Sequence, residues 1–367
     1  VRILLTTDTI GGVWTFTKDL CEGLLTSGHA VALVSVGRLP GAAQSEWRET
    51  TQAWFGTQFQ FEALETPLEW MEQNKMAYRG AETSLLRVAS EFRADLLHAN
   101  QFCFGALPVS MPKVVTAHSD VLSWAEACRP QGLADSPWLR NYRRLVATGL
   151  RGAHAVAAPT RWMAAALRHG FATTGDVRVI ENGRTIPPED GNPAQRVVQA
   201  VSVGRLWDEA KGFSVLDGMD AAMPVLVAGE TELEAPGAGA LTEAEVLALF
   251  RRSSVYVAAS VYEPFGLAPL EAALCGCAVV ANDIASFREV WGDAALYFRG
   301  AASLEEILDR LVESGDALRA AQTRSQNRAM EFTAERMTDG YLSLYAELLE
   351  SRLPTREDMN SAEGAAA

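Results

Sequence analysis

Histidine, cysteine and long apolar runs are all scarce in this chain, and each scarcity narrows what it can do. Five histidines (His29, His98, His118, His154, His169) are spread over 367 residues, and none forms a helical ligand pair, so no metal site is expected. The five cysteines, Cys21, Cys103, Cys128, Cys275 and Cys277, contain one C-x-C pair, which fits neither a zinc knuckle nor a redox C-x-x-C; reduced, packed thiols are expected. No stretch approaches the roughly 20 apolar residues that span a bilayer. Val1 to Leu5 reads as a strand without a basic leader or cleavage site, and a cytoplasmic protein is the expectation.

Positive charge is short in one half only. The net charge of −14 divides into 17 Lys+Arg against 16 Asp+Glu in residues 1–180, and 15 against 30 in the rest. Such an acidic second half repels nucleic acid. Arg140, Arg143 and Arg144 share a helical face, with Arg151 beyond, and read as a solvated surface; a membrane contact there draws no support from the net charge.

What is present is alternation. Apolar strands at Val1–Leu5, Ala30–Val36, Leu96–His98, Val114–Ala117, Ala155–Ala158 and Val177–Ile180 are interleaved with helical spacing at Val13–Thr26, Leu68–Phe92, Leu139–Leu150 and Arg161–His169, the last capped by Thr160. After a linker at 186–193, rich in proline, a second set begins at Val197–Val203 and continues through Val225–Ala228, Val255–Ala258, Ala278–Ala281 and Ala295–Phe298. Helices are expected from Thr242, near Pro269, and from Ser286 and Ser303, with capping boxes Thr242/Glu245, Ser286/Glu289 and Ser303/Glu306. The pattern stays helical from Asp316 to Ser351 with a break near Thr333, and the polar tail 352–367 reads as disordered. This predicts an α/β chain of two Rossmann-like, doubly wound domains, 1–185 and 194–333, facing a central cleft.

Three loops carry the chemistry. Gly11-Gly12 stands between the first strand and its helix, where residues without Cβ let a pyrophosphate reach main-chain amides; alone it also reads as an ordinary loop pair. Gly204-Arg205 with Lys211-Gly212 follows a strand, a place where two cations can neutralise a departing diphosphate. The third loop, Glu263-Pro264-Phe265-Gly266-Leu267-Ala268-Pro269-Leu270-Glu271, leads into a helix whose first amides can meet phosphate. Glu271 suits the two hydroxyls of a ribose and Glu263 a sugar hydroxyl. A glycosidase acid and nucleophile pair is the competing reading of the two glutamates, and the phosphate-directed loops argue against it.

The run EPFGLAPLEAALCGCAVVAND, residues 263–283, preceded by Gly204-Arg205-Leu206 and Lys211-Gly212, resembles the E-x7-E signature of the retaining glycosyltransferases of family 4, whose fold is called GT-B. The resemblance implies that Gly11 and Gly12 meet the donor phosphate and that Arg205 and Lys211 stabilise the leaving diphosphate. It also implies that Glu263 binds the donor sugar, that amides near Gly266 and Leu267 help, that Glu271 holds the ribose and that His118 lies beside the donor sugar and acceptor. The helix 334–351 would return to the first domain. Thr231 to Leu241 is shorter than the family pattern, and Arg205 to Lys211 is one residue longer.

A metal-independent, cofactor-free hexosyltransferase is therefore expected, with retained anomeric configuration. Its donor would be a nucleotide-sugar, UDP- or GDP-linked, and its acceptor a hydroxyl of a glycan, a lipid-linked sugar or a small molecule. A nucleotide-sugar epimerase, a glycan phosphorylase and a non-catalytic sugar-nucleotide binder are the alternatives on the same fold.

Overall fold

The structure, a computed structural model, describes residues 1–172, 175–187, 196–229 and 241–351. The expected linker beyond residue 187, the short segment from Thr231 up to Leu241 and the tail 352–367 lie outside the described residues. Strands β1 Arg2–Asp8, β2 Ala30–Gly37, β3 Phe59–Glu65, β4 Leu96–Ala99, β5 Lys113–Thr116, β6 Ala155–Ala158 and β7 Val177–Val179 form one sheet. A second sheet holds β8 Val197–Val203, β9 Val225–Ala228, β10 Ser253–Ala258, β11 Ala278–Asn282 and β12 Leu296–Phe298. Every pairing is parallel, in the orders β3-β2-β1-β4-β5-β6-β7 and β12-β11-β10-β8-β9.

Parallel strands need crossovers, and helices on both faces bury them, so β10 is buried along its whole length and β1 at every residue after Arg2. In such sheets, ligands settle beyond the strand C-termini where the strand order reverses. Here the reversals fall between β1 and β4 and between β8 and β10. Gly11-Gly12 follows β1, Arg205 and Lys211 follow β8, and Glu263 follows β10, so the topology gathers the candidate loops.

The helix Ala334–Glu350 packs its Met337, Tyr341, Leu344 and Tyr345 stripe on the first sheet and on the helix Gly12–Thr26. Beneath it runs a buried polar chain: Tyr345 Oη meets His98 Nδ1 at 2.5 Å, His98 Nε2 meets Thr116 Oγ1 at 2.7 Å, and Thr116 Oγ1 meets Tyr341 Oη at 3.0 Å. The two hydroxyls thus remain satisfied inside an apolar layer.

Three sequence expectations are corrected. The helix expected over 68–92 begins only at Arg79. Asn74 is buried, donating Nδ2 to the Trp138 carbonyl at 3.2 Å and accepting from Asn141 at 3.0 Å, while Met71 O accepts from Trp138 Nε1 at 2.9 Å. These tertiary bonds outweigh local helix preference. The box Thr242/Glu245 forms, whereas the helix at Ser286 starts at Ala285 without a side-chain cap. Glu289 instead accepts from the N–H groups of Arg161 and Trp162 at 2.7 and 2.8 Å, capping a helix of the other lobe. Ser303 bonds the Arg299 N–H, and its helix begins two residues earlier, at Ala301. Strand β3 and the helix Ala42–Phe55 escape the sequence reading because β3 is a half-exposed edge strand with little apolar signal.

The first lobe holds one unusually close backbone approach. A Cβ on Gly149 of the helix Pro137–Gly152 would run into the Phe102 carbonyl, and one on Gly105 into that of Gly149. Overpacking against rigid backbone costs about 1–3 kcal/mol. Gly149→Ala is therefore expected to lower unfolding free energy by about 3 kcal/mol in urea titration, and an unchanged midpoint would contradict this packing.

Candidate active site

Asp8 closes β1, and Gly11 takes φ 67°, turning the chain straight into the helix Gly12–Thr26. A Cβ on Gly11 would stand 2.6 Å from Nη1 of Arg205, and one on Gly12 3.4 Å from Cδ1 of Leu267. Glycine at 11 is required by both the left-handed backbone and the neighbouring cation. The first lobe's turn thus meets both second-lobe loops.

The two candidate cations are each fixed by a carboxylate. Arg205 Nη2 pairs with Asp208 Oδ2 at 2.5 Å, and its guanidinium lies 5.2 Å from the Trp207 ring. Lys211 Nζ pairs with Glu263 Oε2 at 2.6 Å. Burial works against the Asp208 carboxylate, but Arg205 and Lys211 together hold its pKa below the usual value. Gly266, at φ 93°, turns the chain into the helix Leu267–Leu274, and Cγ of Glu263 lies 3.3 Å from where its Cβ would be. Gly11, Gly12, Arg205 and Leu267 are therefore neighbours, and Lys211, Glu263 and Gly266 form an adjoining group.

Glu271 has a partner the sequence reading did not foresee. Its Oε1 accepts from Nε of Arg184 at 2.8 Å. The Arg184 side chain has no exposed surface; it also binds Asp19 at 2.5 Å and Glu243 at 2.6 Å, and Lys18 joins Glu243 at 2.6 Å. Burial raises the Glu271 carboxyl to about 7 and that of Asp19 to about 6, with Arg184 pulling both the other way. Arg184 itself is pulled down by burial, yet the surrounding carboxylates hold it above its ordinary value. Nothing in the sequence singled out Arg184, because its three partners lie 59, 87 and 165 residues away.

His118, just beyond β5, reaches Asn100 Oδ1 through Nε2 at 2.9 Å. Asn100 spends its Nδ2 on the Thr6 carbonyl and Thr17 Oγ1, so Oδ1 accepts and His118 carries its proton on Nε2. Desolvation pulls the imidazole down to about 3, although part of the ring faces a cavity, and it is neutral. That cavity, of about 400 Å³, lies at the C-terminal edge of the first sheet, and its walls include Asp8, Gln101, His118, Trp124, Arg205 and Trp207. Trp14, the aromatic next to the glycine pair, packs edge-on against Trp47 with centroids 5.4 Å apart.

Asp8 is a further residue missed in the sequence, although a carboxyl ending a buried strand directly before a glycine turn was a signal in plain view. Its Oδ1 accepts from the Ile10 N–H at 2.8 Å. Burial raises its pKa to about 7; the Ile10 N–H and Arg205 oppose that rise and Glu69 adds to it. Among the described residues, no three His, Cys, Asp or Glu side chains cluster as a metal-ligand set, and no helix is long and apolar enough to cross a membrane.

Comparison with known proteins places this geometry in context. A model described as Glycosyltransferase Family 4 matches residues 10–185, and one described as Glycosyl transferases group 1 matches residues 238–328. The serotype-specific mannosyltransferase WbdA of Escherichia coli is 29% identical over 112 residues, which is 29% of this chain and 14% of that protein, so the matched part spans about one-seventh of the relative's length. Sucrose-phosphate synthase from Thermosynechococcus elongatus superposes with a TM-score of 0.76 at 17% identity, covering 95% of this chain and 99% of that one. HepE of Anabaena, solved in complex with UDP-glucose, gives 0.68 at 17% identity, with 95% and 99% covered. At such identities the structural likeness is one of fold.

Two expectations follow from the buried charges. Arg184→Met strands Asp19 and Glu271 without their cation and should cost about 3–5 kcal/mol near pH 8; the loss should shrink toward pH 5, where both raised carboxyls take up a proton. Asp8, with its folded pKa of about 7 against 3.8, supports the fold fully only below about pH 4, and that support is lost as the pH rises through 7. Asp8→Asn does not titrate, so it should gain on the parent protein by about 2 kcal/mol between pH 5 and 8. Urea unfolding at both pH values checks each variant, and a pH-independent difference would contradict the assignment.

Proposed function

The chain belongs to the glycosyltransferases of family 4, of GT-B fold, and from that premise we propose that it transfers a hexose from a UDP- or GDP-sugar to an acceptor hydroxyl with retention and without a metal. The observation that carries the reading is the meeting of Gly11 with Arg205 and of Gly12 with Leu267. A glycine turn with open amides, a guanidinium and the start of a helix surround one point, and Lys211 stands in the adjoining loop. All four features favour negative charge, and fixed donors of this kind need no reorganisation as charge develops.

In the proposed reaction the bond between the anomeric carbon and the diphosphate oxygen breaks while the acceptor oxygen bonds to that carbon on the same face. The acceptor's proton passes to the departing phosphate. Arg205 and Lys211 take up the developing charge, the role a divalent cation fills elsewhere. Asp208 and Glu263 hold those cations in place, and Glu263 offers its second oxygen to a donor-sugar hydroxyl. Glu271 receives the ribose while bonded to Arg184, whose charge keeps the carboxylate available as an acceptor despite its burial. The neutral His118 presents Nδ1 as an acceptor beside the sugar.

Thermal shift with UDP-, GDP- and ADP-sugars in EDTA identifies the donor, and NMR of the product reads its anomer. Arg205→Ala and Lys211→Ala should each lower kcat by about 10²–10³-fold, as loss of one fixed transition-state donor does, with little change in melting temperature. An inverted product, or donor binding that demands Mg²⁺, would overturn the reading.

A further inference from the structure

Between the site residues of the two lobes stands one side chain that belongs to neither group. Tyr262 precedes Glu263 on the loop after β10, yet its side chain leaves the second lobe and is buried against the first, 5% exposed. The hydroxyl lies 3.0 Å from Ser119 Oγ, 3.0 Å from Ser123 Oγ and 3.2 Å from the Asp120 nitrogen. Ser119 directly follows His118. A single phenol oxygen therefore joins the segment that carries His118 to the loop that carries Glu263.

The direction of each bond follows from the partners. The Asp120 N–H can only donate, so Tyr262 Oη accepts from it. Ser123 Oγ donates to Oδ2 of Asp120, which leaves it to accept the Tyr262 proton. Ser119 Oγ then donates to the remaining lone pair of Tyr262. The hydrogens run one way, from Ser119 through Tyr262 and Ser123 to the Asp120 carboxylate. Oδ1 of that carboxylate caps the helix Val121–Cys128, accepting from the N–H groups of Leu122 and Ser123. The Tyr262 hydroxyl is thus filled as donor and as acceptor, which permits its burial.

The same loop is fixed on its own side. The N–H groups of Val261 and Tyr262 both reach the Ala210 carbonyl, at 2.9 and 3.4 Å, and Ala210 precedes Lys211, the partner of Glu263. One residue further on, the Pro264 carbonyl accepts from Thr160 Oγ1, and the Trp162 ring meets that of Tyr262 edge-on with centroids 5.7 Å apart. Residues 262–264 are inserted between the N-termini of two first-lobe helices, Val121–Cys128 and Arg161–Phe171. The ion pair Arg129–Glu209 also crosses between the lobes nearby, but its side chains are 48% and 51% exposed, and such pairs contribute little.

A phenylalanine would fill the same space, so what the hydroxyl adds is direction. Hydrogen bonds weaken steeply away from linearity, whereas ring packing tolerates sliding. The position so fixed is one that transfer depends on, since His118 comes from the first lobe and Lys211 with Glu263 from the second. We propose that the Tyr262 hydroxyl is a positioning group for sugar transfer, holding Glu263 and Lys211 in register with His118 across the crevice. It acts through Ser119 on one side and through its own loop on the other. The inference rests on the transferase reading for what is being positioned, while the fixing itself can be measured without donor or acceptor.

The test compares the whole parent chain with Tyr262→Phe, Ser119→Ala, their double variant and Glu289→Ala. In the free protein, Tyr262→Phe should speed amide hydrogen exchange about tenfold in residues 118–123 and 262–266, as loss of a buried hydrogen bond does, and leave β1 and β8 within twofold. Donor cleavage with water as acceptor is then followed for UDP-glucose, UDP-galactose or GDP-mannose, whichever raises the melting temperature most. Its kcat should fall about 10²-fold in Tyr262→Phe, the cost of displacing a reacting group by about 1 Å, while the Kd for UDP or GDP stays within threefold. Ser119→Ala should add nothing to that loss in the double variant, because both changes remove the same bond. Glu289→Ala removes interlobe bonds from a helix that carries no site residue, and it should leave kcat within threefold. Unchanged exchange in Tyr262→Phe, an equal loss of kcat in Glu289→Ala, or a loss confined to nucleotide Kd would overturn the proposal. Faster exchange at both segments, in a parent chain that cleaves none of the three nucleotide-sugars, would instead count against the transferase reading alone.

Discussion

A guanidinium with no exposed surface ties the two lobes together. Arg184 sits where the chain leaves the first sheet, and its nitrogens reach Asp19 on the first lobe and Glu243 and Glu271 on the second. A buried cation is expensive unless its hydrogen-bonding capacity is filled from several sides, so the helices Gly12–Thr26, Glu243–Arg252 and Leu267–Leu274 must converge on it. That convergence sets the distance at which Gly11 meets Arg205 and Gly12 meets Leu267. Further contacts between lobes act in the same direction, among them Thr160 Oγ1 donating to the Pro264 carbonyl at 2.9 Å and Glu289 capping the helix Arg161–Phe171. The crevice geometry is thus a consequence of satisfying buried polar groups across it.

How far the sequence announced this depends on the range of the signal. Val197–Val203 and Val225–Ala228 were legible to the residue because a short apolar run is a local property. Thr242 and Glu245 were legible because both halves of that box lie within one turn. Ser286/Glu289 has the same spacing, but Glu289 found two backbone donors across the lobes and abandoned the local cap. Gly11, Gly12, Arg205 and Lys211 were singled out as phosphate-directed types and Glu263 as a partner for a sugar hydroxyl, all on loops after strands, and the strand order brings those loops to the two reversals. Arg184 gave no local sign at all, its partners being distant in the chain.

Residues of one type divide between two kinds of work in the first lobe. Glu69, Asp120 and Asp8 are all buried carboxyls near the same cavity. Two of them are satisfied by main-chain N–H groups and fix the segments Phe102–Ala106 and Val121–Cys128. Asp8 has one such bond, from Ile10, and burial raises its pKa further than the bond can lower it. A site that keeps a partly satisfied carboxyl gives up stability at neutral pH, the kind of local cost that functional sites carry and structural ones do not.

The charge distribution poses an apparent conflict for a lobe that would hold a diphosphate, since residues 181–367 carry 15 basic against 30 acidic side chains. Screening resolves it. At physiological ionic strength exposed charges fade beyond about 8 Å, so the donor would respond to what lies within one or two side chains of the phosphates. There Arg205, Lys211 and the start of the helix Leu267–Leu274 dominate, each oriented by contacts already in place. The acidic surface works at a different range, giving the lobe as a whole a field of negative sign. For the proposed donor, then, the fixed cations Arg205 and Lys211 matter more than the net charge of the lobe.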